Sequence, residues 1–195
     1  NALGVSQYAQ MTAGAYMYIG PQGIVHGTTI TVLNAARKQR SEKGGPQDIR
    51  GMLFVSSGLG GMSGAQPKAG NISFVGSVVA EINPLVAKKC YDQGLLDELH
   101  DNLDELIPAI KRSVEEKRTV SMAYVGNVVD LWERLANEGV HVDIGSDQTS
   151  LHNPWAGGYY PADLTLEESK AMMAENPDEF RKHVQTSLCR QVAAI

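Results

Sequence analysis

The sequence predicts an α/β fold in which a parallel β-sheet carries helices on both faces. Short, continuous apolar runs alternate with longer amphipathic segments along the chain. Such runs are typical of strands buried on both faces of a parallel sheet, and the alternation indicates crossover helices between them. A glycine-rich loop at residues 58–64 follows the first apolar run directly, and this strand–loop–helix order also favours the α/β class.

The first half of the chain predicts two strands among three helices. Val32 and Ala36 belong to an apolar face with helical spacing, which indicates the first helix. Asn83-Pro84 and Gly94 are typical start and stop signals of the third helix. The elements expected here are a helix over 24–39, a strand over 52–56, a helix that begins near Ser63 or Gly64, a strand over 74–81 and a helix over 84–93.

The second half predicts one long amphipathic helix, followed by alternating strands and helices. Leu99, Leu106 and Ile110 belong to an apolar stripe within residues 95–118, and Pro108 is expected to divide this helix or to begin a new one. The remaining expected elements are strands over 120–125 and 140–144, a helix over 127–138 between them, a long loop over 147–161 and helices from 166 to the end.

Length, charge and cysteine content narrow the class of protein. The chain has 195 residues, which favours one domain, with room for a second small lobe. The formal net charge of −5 speaks against a nucleic-acid-binding protein, because such a protein presents a basic face. Cys90 and Cys189 are too few for a disulfide framework, and as free thiols they suit a cytoplasmic protein.

The first part of the chain is uncharged, since no Asp, Glu, Lys or Arg precedes Arg37. Polar residues, glycine and proline interrupt every apolar stretch, so this region predicts neither a membrane-spanning helix nor a signal peptide. We expect residues 1–45 to form a helical segment that packs on another domain. The chain, which starts at Asn1, is then expected to be part of a longer enzyme.

The glycine loop, GLGGMSG at residues 58–64, predicts a nucleotide site. Such a site needs a tight turn and a backbone that approaches the phosphates closely, and the following helix offers its N–H groups to them. The spacing is imperfect, because Ser63 stands where the GxGxxG pattern has its third glycine. A plain turn is the alternative.

Glu81 ends the second predicted strand, roughly 20 residues past the glycines, where related sites carry an acid that binds the ribose hydroxyls. Its negative charge would disfavour the 2′-phosphate of NADP. A solvated glutamate at a strand end is the alternative. The loop and the acid together favour NAD as the ligand.

Two further segments follow predicted strands and should lie at the same edge of the sheet. One is Gly126-Asn127, and the other is the polar stretch 147–154. Asp147 could cap a local turn, and His152 could be a base, a hydrogen-bond donor or a structural residue. The histidines have no metal-ligand spacing, so no metal is expected.

Four segments carry a specific resemblance to a known family. They are YAQMTAG at 8–14, YIGPQGIVHG at 18–27, GLGGMSGAQP at 58–67 and DQTSLH at 147–152. In this order, and over nearly the whole chain, they resemble the urocanase (urocanate hydratase) family. The resemblance implies a central NAD-binding domain: a Rossmann-like parallel sheet with helices on both faces and extra helices at the N- and C-terminal ends.

The resemblance also implies an activity for the full-length enzyme, a hydro-lyase. Urocanases add water to urocanate to give imidazolone propionate in histidine degradation, and they use NAD+ as an electrophile that returns unchanged. The full-length protein is expected to be a cytoplasmic homodimer. The chain by itself is expected to be inactive, because the family's catalytic cysteine motif and substrate-binding segments have no match in it.

Motif positions imply a set of NAD-binding residues, and none is assigned a catalytic role. Gln10 would contact NAD from the first segment, and Glu81 would bind the ribose. The pyrophosphate would lie against Gly61, Met62 and Ser63. The adenosine side would be bordered by Asn127 and Val128. The nicotinamide half would be enclosed by Gln148, Thr149, Ser150, Leu151, His152, Tyr159 and Tyr160.

The chain departs from the family pattern at several positions. Ser63 replaces a common glycine, and Val128 replaces an alanine after the asparagine. Val86 stands where many relatives have an arginine, so either Lys88 or Lys89 substitutes for it or the contact is absent. Two other readings stay open from the residues alone: the cofactor domain of an NAD-dependent dehydrogenase, and a non-enzymatic nucleotide-sensing module.

Overall fold

A computed structural model describes residues 21–42, 44, 48–60, 64–147 and 154–195 of the chain. The predictions for residues 1–20, for residues 61–63 of the glycine loop and for residues 148–153 lie outside the described part of the chain. The described helices are α1 (Pro21–Glu42), α2 (Ala65–Ile72), α3 (Pro84–Asp92), α4 (Leu103–Glu115), α5 (Val128–Asn137), α6 (Leu166–Glu175) and α7 (Pro177–Ala194). The strands are β1 (Leu53–Ser57), β2 (Gly76–Glu81), β3 (Glu98–His100), β4 (Ser121–Val125) and β5 (Ile144–Gly145).

The five strands form one parallel sheet in the order β3-β4-β2-β1-β5. Because all strands are parallel, their carboxyl ends lie at one edge. The chain leaves β1 toward β2 on one side, and it later returns to β5 on the other side. Ligands of open α/β sheets bind outside the carboxyl ends at such a reversal of strand order, so β1 and β5 mark the expected crevice.

Alternate residues of the strands face two helical layers. On one face, Leu53, Val55 and Met122 pack with α4, α5 and α7 in the largest apolar cluster. On the other face, Phe54 packs with Val32 and Ala36 of α1, while Val79 and Ala123 pack with residues of α3. This three-layer arrangement confirms the predicted α/β fold with helices on both faces. The added terminal helices α1, α6 and α7 are also confirmed.

Asparagine caps explain why two predicted helices begin where they do. The Oδ1 atom of Asn83 accepts a hydrogen bond from Leu85 N at 3.0 Å, and that of Asn127 accepts one from Val129 N at 3.0 Å. Such caps satisfy N–H groups that have no partner within the helix. The predicted helices over 24–39, 84–93 and 127–138 are therefore confirmed to within a few residues at each end.

The prediction of one helical segment over 95–118 is wrong in two respects. Residues 98–100 form the edge strand β3, because the Asp97 carboxylate accepts hydrogen bonds from Ser121 N and Oγ and holds this segment beside β4. A strand of three residues is too short to show an alternation of apolar and polar side chains in the sequence. Pro108 does not divide α4 but lies inside it, where a proline removes the hydrogen bond to the carbonyl of Asp104, an exposed residue.

Two predicted strands are shorter than expected. The strand over 74–81 begins at Gly76, because Ser73 and Phe74 close α2 in a turn in which Phe74 has a φ of +60°. The strand over 140–144 contains only Ile144–Gly145. There the Asp143 carboxylate accepts the N–H of Leu53 at 2.9 Å, which takes the donor that strand pairing would otherwise use.

Among the described helices, none combines the length and the apolar character that crossing a membrane requires.

Replacing Phe180 by alanine is expected to lower the free energy of unfolding by about 3–5 kcal/mol, because this fully buried ring fills the main core from α7. Chemical denaturation followed by circular dichroism measures the change. Val192→Ala on the same helix is the control, since Val192 is 75% exposed and should change stability by no more than about 0.5 kcal/mol. Equal losses for the two variants would contradict the placement of α7.

Candidate functional site

A cleft of about 220 Å³ lies at the carboxyl ends of β1, β2 and β4. The end of β1 contributes Ser57 and Gly58, and the turn before α6 closes the opposite wall. Sequence-predicted and unpredicted residues meet here. The cleft is lined by Ser57, Gly58, Ala80, Glu81, Ile82, Gly126, Asn127, Val128, Gly157, Gly158, Tyr159 and Tyr160.

The Glu81 carboxylate joins the end of β2 to the glycine loop. One oxygen, Oε2, accepts a hydrogen bond from Leu59 N at 2.7 Å, and the other, Oε1, accepts one from Asn83 N at 2.9 Å. Glu81 is therefore more than a solvated glutamate at a strand end. Each carboxylate oxygen has two acceptor positions, so both oxygens keep capacity for further donors in the cleft.

Both backbone polar groups of Leu59, the N–H and the carbonyl, form hydrogen bonds with side chains. Its N–H donates to Glu81, and its carbonyl accepts from the Cys90 thiol, with 3.4 Å between Sγ and O. Burial raises the pKa of Cys90, and the negative charge of Glu81 raises it further, so this thiol is a neutral donor. Cys90 thus has a structural contact in the described residues. Cys189 is exposed on α7.

Glycine is required at both described ends of the loop. Gly58 has a φ of +81°, a conformation that side chains with a Cβ rarely adopt. A Cβ on Gly64 would lie 2.9 Å from the carbonyl oxygen of Gly60. Within the part of the chain that the structure describes, no side chain caps the N-terminus of α2 at Gly64, and a helix N-terminus of this kind favours an anion.

Asn127 links two walls of the cleft. Besides capping α5, its Nδ2 donates to the carbonyl of Tyr160 at 2.8 Å. Asn127 is 9% exposed, so both ends of its side-chain amide form hydrogen bonds in a nearly buried place. Asn127 therefore fixes the segment that carries Tyr159 and Tyr160 against the start of α5.

Tyr159 is 2% exposed, and its hydroxyl donates to Gln191 Oε1 at 3.0 Å. Burial and the nearby Asp147 carboxylate raise the pKa of Tyr159, so its hydroxyl is a neutral donor at ordinary pH. Tyr160 is half-buried and lines the cleft beside it. Only part of the wall formed by these tyrosines is accordingly open to a ligand.

The structure brings five of the predicted NAD-binding residues together around this cleft, and these are Glu81, Asn127, Val128, Tyr159 and Tyr160. Their contacts with NAD stay predictions. The other predicted residues lie outside the described part of the chain: Gln10, Gly61, Met62, Ser63, Gln148, Thr149, Ser150, Leu151 and His152.

The structure distinguishes the two lysines that follow the family's arginine position. Lys88 Nζ pairs with the Asp92 carboxylate at 2.9 Å on the exposed face of α3. Lys89 lines a neighbouring cleft of about 340 Å³ together with Val86 and Gly60. Lys89 is thus the lysine placed beside the glycine loop.

Sequence reasoning missed three contributors to the site: Ser57, Gln191 and the long-range role of Asp147. The Asp147 carboxylate does more than cap a local turn, because it accepts hydrogen bonds from Ser57 Oγ and, at 2.6 Å, from Gln191 Nε2. Ser57 is the last residue of β1, and its position at a strand end could have indicated a site residue. Gln191 lies within a helix far along the chain, where nothing in the sequence distinguishes it.

The parallel sheet, the glycine loop after β1 and the acid at the end of β2 together define a Rossmann-like domain. A family model described as the urocanase Rossmann-like domain matches residues 20–195. The chain therefore belongs to the urocanase family, as the four sequence segments predict.

Comparison with known proteins gives relatives with the same description. The chain is 56% identical over 195 residues to a probable urocanate hydratase of Caenorhabditis elegans, and 53% identical over 195 residues to one of Dictyostelium discoideum. It is 52% identical over 199 aligned residues to the urocanate hydratase of Homo sapiens. The alignments cover all of this chain but only 28% to 29% of each relative, so the chain spans less than a third of their length.

Replacing Asn127 by alanine is expected to lower the free energy of unfolding by about 2–4 kcal/mol, since the variant loses a helix cap and leaves the Tyr160 carbonyl without its donor. Asn102→Ala is the matched control, because Asn102 caps α4 in the same way from an exposed position and should cost about 1 kcal/mol. Thermal and chemical unfolding measure both. A smaller loss for Asn127→Ala than for Asn102→Ala would show that the Tyr160 contact adds nothing.

Proposed function

We propose that this chain is the NAD-binding domain of a urocanate hydratase. The observation that carries the proposal is the contact of the Glu81 carboxylate with Leu59 N at 2.7 Å, which places an acid directly beside the glycine loop. An acid and a glycine loop at neighbouring strand ends form the adenosine-binding half of a dinucleotide site. The family membership supports the same assignment.

Glu81 is the proposed partner of the ribose next to the adenine. The remaining acceptor positions on its oxygens suit two hydroxyl donors, while a 2′-phosphate would bring a second negative charge to the same place. Asn127 and Val128 form the neighbouring wall, where the apolar Val128 side chain suits the flat face of a base. The described residues therefore fit NAD better than NADP.

The N-terminus of α2 is the proposed position of the pyrophosphate. The helix begins at Ala65 with no side-chain cap among the described residues, and Gly64 lies close to the carbonyl oxygen of Gly60. Backbone N–H groups and the helix dipole stabilise phosphate charge at such a place. From the family resemblance, Gly61, Met62 and Ser63 supply these contacts, and Gln10 adds one from the first segment.

The nicotinamide half is proposed to lie toward Tyr159, Tyr160 and the residues 148–152. Bound NAD+ supplies an electrophilic ring for the hydration of urocanate. Tyr159 and Tyr160 orient the ligand and exclude water from this side, since Tyr159 is almost fully buried. The activity belongs to the full-length enzyme, which we propose to be a cytoplasmic homodimer of histidine degradation.

Changing Glu81→Ala is expected to weaken NAD binding by about 1–3 kcal/mol, the scale of a lost hydrogen bond to a charged group. Isothermal titration measures NAD and NADP separately. If Glu81 binds the ribose, the preference for NAD over NADP should fall, whereas a purely structural role would weaken both equally. Glu98→Ala on the edge strand β3 is the control and should leave NAD affinity unchanged. Equal NAD affinity for the wild type and Glu81→Ala would refute the ribose role.

The purified 195-residue chain is expected to bind NAD without consuming urocanate, because the family's substrate-binding segments have no match in it. Ultraviolet absorbance of urocanate and mass analysis of retained NAD measure the two properties. Loss of urocanate absorbance would contradict the proposal that this chain binds NAD but lacks the substrate-binding segments. New nicotinamide absorbance on adding substrate would indicate a dehydrogenase domain instead, and a nucleotide-dependent change in oligomeric state would indicate a sensing module.

A further inference from the structure

A chain of hydrogen bonds runs behind the cleft from the end of β1 to the wall formed by Tyr159. Ser57 Oγ donates to Asp147 Oδ1, Gln191 Nε2 donates to Asp147 Oδ2 at 2.6 Å, and Tyr159 OH donates to Gln191 Oε1 at 3.0 Å. Ser57 and Tyr159 both line the cleft. Gln191 and Asp147 connect these two walls from the side that faces α7.

The donor and the acceptor of each of these three hydrogen bonds are fixed. An ionised carboxylate only accepts hydrogen bonds, so the side-chain amide of Gln191 must present its NH₂ group to Asp147. Its carbonyl oxygen then faces Tyr159, whose neutral hydroxyl donates to it. A side chain with one donor end and one acceptor end satisfies both neighbours, and Gln191 is 5% exposed.

These hydrogen bonds lie where they can affect ligand binding. Ser57 ends β1, and Asp147 follows β5, so their contact closes the place where the strand order reverses. Ligands of open α/β sheets bind there, and their affinity depends on walls that keep their positions. Gln191 reaches this place from the last turns of α7, 44 residues beyond Asp147.

We propose that Gln191 is a positioning residue of the nucleotide site, which acts by fixing the distance between Ser57 and Tyr159 across the cleft. This inference rests on the proposed function, since it assumes that the cleft binds NAD. Gln191 touches neither the ligand nor the glycine loop in this account. It sets affinity through Asp147 and Tyr159.

The test compares Gln191→Leu with Ser187→Ala in the full chain. Ser187 lies one turn earlier on α7, is 1% exposed, and its Oγ accepts the N–H of Ala162, which does not line the cleft. Both variants therefore lose a buried hydrogen-bonding group of α7. NAD affinity by titration and the free energy of unfolding are measured for each. Gln191→Leu is expected to weaken NAD binding about tenfold, whereas Ser187→Ala should leave it unchanged.

A charge-swapped pair distinguishes positioning from a general loss of packing. Gln191→Glu alone places two carboxylates against each other and should weaken NAD binding at least as much as Gln191→Leu. Adding Asp147→Asn reverses only the bond between positions 147 and 191, because the asparagine NH₂ donates to the new carboxylate. Ser57 can still donate to the asparagine carbonyl, and Tyr159 can still donate to the other carboxylate oxygen, so these three bonds are restored. The double variant should recover most of the affinity.

Hydrogen exchange of the amides from 157 to 160 tests the same inference without any ligand. Exchange there should rise in Gln191→Leu and not in Ser187→Ala, relative to the wild type. If the wild type binds no NAD, the proposed function fails, and the exchange comparison still decides whether Gln191 fixes this wall. If the wild type binds NAD, equal affinity in Gln191→Leu, or no recovery in the double variant, overturns the inference alone.

Discussion

The cleft depends on Glu81, the residue at which three strand ends are tied together. Its carboxylate accepts the N–H of Leu59 just beyond β1, and its backbone carbonyl accepts the N–H of Gly126 just beyond β4 at 3.0 Å. The carbonyl of Ala80, the residue before Glu81, accepts the N–H of Gly58 at 2.7 Å. The loops that leave β1, β2 and β4 therefore start from fixed positions relative to one another.

The chemistry of this position specifies glutamate rather than a similar residue. A glutamine would present an NH₂ group to one of two backbone donors, Leu59 N or Asn83 N, and would leave that donor unsatisfied. An aspartate is one methylene shorter, so its oxygens would lie farther from the glycine loop. The same carboxylate thus serves the local structure and keeps acceptor positions for a ligand.

The sequence predicted the parts of the fold that depend on local patterns. The buried runs of β1, β2 and β4, the helix start at Asn83-Pro84 and the helix stop at Gly94 are properties of neighbouring residues, so each could be predicted directly from the sequence. The edge strand β3 was missed because its pairing depends on Asp97 and on Ser121, which lies 24 residues away. Glu81 was predicted from its spacing to the glycines, Asn127 from its position after a strand, and Tyr159 from the family resemblance. Gln191 could not be predicted, because its contacts depend on how α7 returns to the sheet.

The position of α7 is itself set by residues that do not touch the cleft. Phe180 and Val184 anchor the helix in the main core, and both are fully buried. Farther along, the Arg190 guanidinium donates two hydrogen bonds of 2.8 Å to the Glu133 carboxylate on α5, and this pair holds the pKa of Glu133 below its usual range. Because a bidentate pair fixes orientation as well as distance, it sets the register of α7 along α5. That register determines where the next side chain, Gln191, meets Asp147 and Tyr159, so the geometry at the sheet edge follows from packing elsewhere along α7.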